Sequence, residues 1–184
     1  MNVKQIPNAI TIARMVAALP LLYFLIEGNA EFSFWIAMVA GFSDSLDGYL
    51  AKKFHWRTAL GGLLDPIADK LLLCVCFIGL AWQQAVPFWL SALVLGRDVV
   101  IVSGAWLWWK TIGPFKPMPS WISKLTTFFQ IVYVALLLAD LAFALIPNFA
   151  LRLLLWLVVG FTIASGLDYF IRYGGRALRA WRKQ

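Results

Sequence analysis

Charge is what this chain has least of. Of its 184 residues only 14% are charged, and it holds nine acidic residues and a single histidine. A soluble domain carries about 25% charged and about 45–50% apolar residues. At 62% hydrophobic, with ten Trp and fourteen Phe, this chain reads as an integral membrane protein instead. Cysteine is also scarce. Cys74 and Cys76 lie two apart in the apolar run Leu71–Phe77, where a helix would point them in different directions, so no mutual disulfide is expected. They read as small buried apolar residues. His55, alone in the polar linker Lys52–Arg57, reads as solvated or interfacial rather than as a metal ligand. No internal repeat, low-complexity tract or long linker divides the chain, so residues 1–184 are expected to form one domain.

What is present is a series of long apolar runs. A membrane-spanning helix needs about 20 such residues. Runs near 8–27, 33–53, 61–82, 86–109, 119–141 and 146–171 predict an all-α, polytopic protein with six transmembrane helices. The breakers between them include Glu27-Gly-Asn, Gln83–Pro87, Gly113–Pro117 and Pro147-Asn. Basic residues fall mostly on one side: Lys4, the linker Lys52, Lys53 and Arg57, then Lys110, Lys116 and the tail Arg172–Lys183. Cytoplasmic loops carry the excess of Lys and Arg, which predicts that both termini are cytoplasmic. Arg14 interrupts the first apolar stretch, so that stretch is taken as a helix rather than a cleavable signal. The tail, with Arg176, Arg179, Lys183 and Trp181, reads as an interfacial end of the last helix.

Against this background four aspartates stand out. Asp44 and Asp47 are three apart, and Asp65 and Asp69 are four apart, so each pair would share one face of a helix. Bare carboxylates in hydrocarbon are costly and persist where they pair, bind ions or do chemistry. Two acidic faces meeting would make a set of hard oxygen ligands suited to Mg²⁺, Mn²⁺ or Ca²⁺. Gly48 and Gly61 remove side-chain bulk where a phosphate or nucleotide would approach the backbone. On the six-span layout the acidic cluster lies at the cytoplasmic side, open to both the aqueous phase and the lipid leaflet.

Asp44, Asp47, Gly48, Ala51, Lys52, Gly61, Asp65 and Asp69 resemble the signature of the CDP-alcohol phosphatidyltransferases, Asp-x2-Asp-Gly-x2-Ala-Arg-x8-Gly-x3-Asp-x3-Asp. Only Lys52, in the arginine position, departs from it. Lysine offers a compact point charge where arginine offers a forked phosphate contact. The opening Ile6–Arg14 is similar to the family's first helix, and six helices are the family's layout. The resemblance implies two divalent cations, Mg²⁺ or Mn²⁺, held by Asp44, Asp47, Asp65 and Asp69, with Asp69 also the general base. It implies that Asn8, Thr11, Gly48, Ala51, Lys52 and Gly61 bind the CDP-lipid. It further implies a homodimer. No nucleic-acid partner is expected, and the chain is expected among the lipids of a bacterial inner membrane, with a mitochondrial membrane as the alternative.

The acceptor is expected to meet Arg14, Arg97, Lys116 and Lys124. Arg97-Asp98, deep in apolar sequence, is similar to the Arg-Asp of CMP-forming cardiolipin synthases, although an ion pair between helices would also explain it. Lys124 and Lys116 would bind an acceptor phosphate or anchor the fifth helix at the interface. The expected reaction joins CDP-diacylglycerol to phosphatidylglycerol, giving cardiolipin and CMP. The alternative acceptor is glycerol 3-phosphate, giving phosphatidylglycerophosphate. A divalent-cation transporter is a distant alternative, since it would need acids through the depth of the bundle rather than at one end.

Overall fold

The computed structural model describes residues 6–54, 59–111 and 120–171. They form six α-helices: α1 Ile6–Glu27, α2 Ala30–Lys53, α3 Ala59–Trp82, α4 Phe88–Thr111, α5 Trp121–Phe143 and α6 Asn148–Tyr169. No strand occurs among the described residues. His55, Lys116 and the basic tail lie outside them. Each helix falls within a few residues of the apolar run that predicted it. Among the described residues, stretches of four of them, α1, α4, α5 and α6, are long and apolar enough to cross a membrane. The other two, α2 and α3, carry the signature aspartates together with Lys52, Lys53 and Lys70.

Local chemistry sets the helix ends. Gly28, at φ +77°, takes the left-handed position after α1 that a side chain would disfavour. Its N–H and that of Asn29 donate to the carbonyls of Leu25 and Phe24. The Asn29 side chain then accepts from the Phe32 N–H, capping α2 and starting it before the expected residue 33. Pro87 stands immediately before α4 and Pro147 caps α6, both positions where a missing N–H costs nothing. Between α5 and α6 the Asp140 carboxylate accepts from the Ile146 N–H at 3.0 Å, closing the turn.

The chain divides into two compact units. In the first, Met1–Pro87 with Val134–Ile146, α1 packs on both α2 and α3. One face of α1 is buried at Thr11, Arg14, Ala18, Leu21 and Leu25, at alternating spacings of three and four. The opposite face exposes Ile12, Val16, Leu19, Tyr23 and Ile26. An exposed face that is wholly apolar belongs in lipid, not in water. Small residues, Ala37 and Ala40 of α2 and Ala68 of α3, line the buried side and let the helices approach. Contact is tightest at Gly79, where a Cβ would stand 2.6 Å from the Leu25 Cβ.

In the second unit, Phe88–Tyr133 with Pro147–Gln184, α4 packs on α6. Gly104 makes way for the Tyr169 hydroxyl. Phe129 and Phe161 stack at 4.7 Å between ring centres. Beside them Gln130 Nε2 donates to Thr162 Oγ1 at 3.3 Å, and the Thr126 hydroxyl lies 3.0 Å from the Phe161 carbonyl. Polar side chains buried in an apolar bundle find partners on the neighbouring helix.

The Gly79 contact is a rigid one, because the atom a new methyl would meet is a Cβ fixed to its backbone. Gly79→Ala is expected to destabilise the protein by about 1–3 kcal/mol through overpacking. Thermal unfolding in detergent tests this, and an unchanged midpoint would show that α1 and α3 are not in close contact there.

Candidate active site

Arg14 is the centre of the acidic cluster. It projects from α1 with its side chain 1% exposed, and a buried guanidinium needs a counter-charge. It has two. Its Nη1 donates to Asp44 Oδ1 of α2 at 2.5 Å and to Asp69 Oδ1 of α3 at 2.6 Å. Because one nitrogen holds both, the two oxygens are no further apart than those bonds laid end to end. The first and last aspartates of the signature, 25 positions apart along the chain, thus meet on one group of a third helix. Both carboxylates remain open on their other sides, 42% exposed for Asp44 and 49% for Asp69.

One turn before Arg14 on the same face, the Thr11 hydroxyl donates to Asp65 Oδ1 at 2.7 Å. Thr11 is 1% exposed, so this bond fixes the carboxylate from the protein side. The first helix therefore holds three of the four aspartates. The side chain of Asp47 lies outside the described residues, as do those of Asn8, Ala51 and Lys52. By backbone, Asp47, Gly48, Ala51 and Lys52 belong to α2 and Gly61 to α3. Among the described residues no three acidic, histidine or cysteine side chains gather around a single point. Asp44 and Asp69 come together, and Asp65 stands with Thr11.

Asp44 and Asp69 each offer a half-exposed carboxylate beside the guanidinium, oxygen donors of the kind a divalent cation takes. Such ions take oxygen ligands at about 2.0–2.6 Å. The donors are hard oxygens, as Mg²⁺ and Mn²⁺ require. In donor chemistry these residues fit such a cation.

Beside the cluster runs a groove of ≈ 550 Å³ between α1 and α2. Ala13, Ala17 and Pro20 line one wall, Trp35, Val39 and Ala40 the other. Its lining is almost wholly apolar except at Arg14 and at Ser43, the neighbour of Asp44. A hydrocarbon chain fits such a lining, with its polar end toward the carboxylates.

The second unit holds the remaining candidates. Arg97 is buried, and every nitrogen of its guanidinium is engaged. Nη1 donates to Asp98 Oδ1 at 2.6 Å, Nη2 to Ser123 Oγ at 2.6 Å and to Ser165 Oγ at 2.5 Å, and Nε to Ser165 Oγ at 3.2 Å. The side chain ties α4 to α5 and α6. Lys124, one residue beyond Ser123, is exposed with its Nζ 5.0 Å from the centre of the Trp121 ring. Such cation–π placement is typical of an interfacial lysine.

The contacts of Thr11 and Arg14 were not foreseen from sequence, although one signal pointed to them. A lone arginine inside an apolar span demands a buried carboxylate, and the signature aspartates are the nearest supply. Ser123 and Ser165 were missed as well. Nothing in the sequence distinguishes them from other serines.

Residues 4–164 match the CDP-alcohol phosphatidyltransferase family, and the chain belongs to it. It is 29% identical to the human cardiolipin synthase (CMP-forming) over 97% of this chain and 64% of that protein. It is 32% identical to a cardiolipin synthase (CMP-forming)/mitochondrial hydrolase fusion protein of Schizosaccharomyces pombe, over 92% of this chain and 31% of that protein. With the CDP-diacylglycerol–glycerol-3-phosphate 3-phosphatidyltransferase of Bacillus subtilis it shares 33% identity over 90% of this chain and 93% of that protein. The chain thus spans under a third of the fusion protein and just under two thirds of the human protein.

Ser165 provides two of the four contacts to Arg97. Ser165→Ala is expected to cost about 1 kcal/mol, the scale of a buried hydrogen bond between helices. Denaturant or thermal unfolding in detergent checks it, and a neutral result would mean that Arg97 has partners to spare.

Proposed function

We propose that this chain is a membrane-embedded transferase. It moves a phosphatidyl group from CDP-diacylglycerol to an alcohol acceptor and releases CMP. The observation that carries the proposal is the meeting of Asp44 and Asp69 on one guanidinium nitrogen. The two halves of the signature then act as one site, as a shared cation site needs. Asp44, Asp47, Asp65 and Asp69 would hold two divalent cations, Mg²⁺ or Mn²⁺. When bound, these neutralise the pyrophosphate and stabilise the charge on departing CMP.

The chain's own residues supply the rest. Asp69 takes the proton from the acceptor hydroxyl as its oxygen bonds to the phosphorus bearing diacylglycerol and the bond to CMP breaks. Thr11 orients Asp65 through its hydroxyl. Gly48, Ala51, Lys52 and Gly61, with Asn8, receive the nucleotide end, Lys52 serving as a point charge on phosphate. The apolar groove beside Arg14 takes one acyl chain. Arg97 and Lys124, with Lys116, bind the acceptor phosphate, since phosphate makes stronger charge-assisted bonds to Arg97 than its present serine hydroxyls do. Arg14, expected at the acceptor from sequence, bonds the Asp44 and Asp69 carboxylates.

The setting is a bacterial inner membrane with six spans. At 24 residues each, α2 and α3 are about 36 Å long, enough to cross a hydrocarbon core of about 30 Å. Their charges gather at the end of α2 and the start of α3, which with both termini face the cytoplasm. Assembly as a homodimer is carried by the family resemblance alone.

The preferred acceptor is phosphatidylglycerol, giving cardiolipin, in line with the names of the human and yeast relatives. A second reading takes glycerol 3-phosphate, favoured by the Bacillus subtilis relative, which this chain matches along almost its whole length. Purified protein with CDP-diacylglycerol, Mn²⁺ and each acceptor in turn should form cardiolipin and CMP from phosphatidylglycerol. Phosphatidylglycerophosphate without cardiolipin would reverse the acceptor assignment, and no CMP from either would end the transferase reading. Asp69→Asn should lower turnover at least about 100-fold, the scale of a lost general base, with the protein still folded.

A further inference from the structure

We infer that Arg14 is the resident counter-charge of the acidic site. Its guanidinium holds the Asp44 and Asp69 oxygens that divalent cations would take, so arginine and cation compete for them. The inference rests on the proposed cation-binding role of these aspartates. Its ground is geometric: a single guanidinium nitrogen bonds carboxylate oxygens on two different helices, the same two residues to which the proposal gives the cations.

Charge and burial argue the same way. Without an ion, two carboxylates this close repel, and a buried guanidinium between them relieves the repulsion. With an ion present, a guanidinium at that distance is a like charge, and the more highly charged partner keeps the oxygens. The carboxylates are half-exposed while Arg14 is buried, so ions arrive from the open side and meet the oxygens before they meet the arginine. Arg14 also stands on the wall of the ≈ 550 Å³ groove, which gives its head space to move into. The consequence is a site that holds its shape before metal arrives, at some cost in metal affinity.

Mn²⁺ titration of the full chain in detergent tests this, with free Mn²⁺ read by electron paramagnetic resonance and thermal midpoints taken with and without Mn²⁺. Arg14→Gln removes the competitor, so Mn²⁺ should bind on the order of tenfold more tightly than in the wild type, an effect kept modest by partial solvent screening. Its metal-free midpoint should fall, and Mn²⁺ should raise that midpoint by more than it does in the wild type, as tighter binding requires. Arg14→Lys, which keeps the charge, should stay near the wild type in both readouts. A purely structural arginine would lower the midpoint and leave the Mn²⁺ increment unchanged. That result, or equal or weaker Mn²⁺ binding in Arg14→Gln, overturns the inference.

Should Arg14→Gln not fold, the wild type alone decides. An arginine-specific dicarbonyl followed by peptide mass spectrometry should label Arg14 more when Mn²⁺ is added, and constant labelling overturns the inference. Absence of Mn²⁺ binding in the wild type would instead overturn the cation-site reading beneath it.

Discussion

A buried positive charge on the first helix organises the first unit of this protein. Arg14 must be neutralised, and the carboxylates that do so come from α2 and α3. Satisfying one desolvated guanidinium therefore draws three helices to a common point. Thr11, one turn away, adds Asp65 to the same face. Below these polar contacts the helices meet through small residues, with Gly79 against Leu25 at the closest approach. The apolar packing sets the distance between helices, and the arginine sets which groups face each other.

The second unit repeats the device with different partners. Arg97 is buried on α4 and shared among Asp98, Ser123 and Ser165. Here one carboxylate and two hydroxyls do what two carboxylates do for Arg14. Hydroxyls surrender a cation to phosphate more readily than carboxylates do. Arg97 holds α4 to α5 and α6 as Arg14 holds α1 to α2 and α3.

Much of this was legible in the sequence. Six apolar runs gave six helices, because hydrophobic length is a strong signal and breakers such as Pro87 and Pro147 mark the ends. Where a boundary moved, a local cap moved it, as Asn29 does for α2. The aspartate spacing expected two helical pairs, and the pairs fall on α2 and α3. What could not be read was which side chain each aspartate would meet. Spacing fixes the face of a helix but not the helix opposite, so the contacts of Arg14 and Thr11 to Asp44, Asp65 and Asp69 could not be read from it. The serines around Arg97 carry no distinguishing pattern at all.

The central claim is that the acidic residues of α2 and α3 form one cation site against α1. Diffraction from crystals grown with Mn²⁺, recorded at the manganese absorption edge, tests it most directly. The account predicts anomalous peaks within coordination distance of both Asp44 and Asp69. Peaks confined to one helix, or none near either carboxylate, would contradict it.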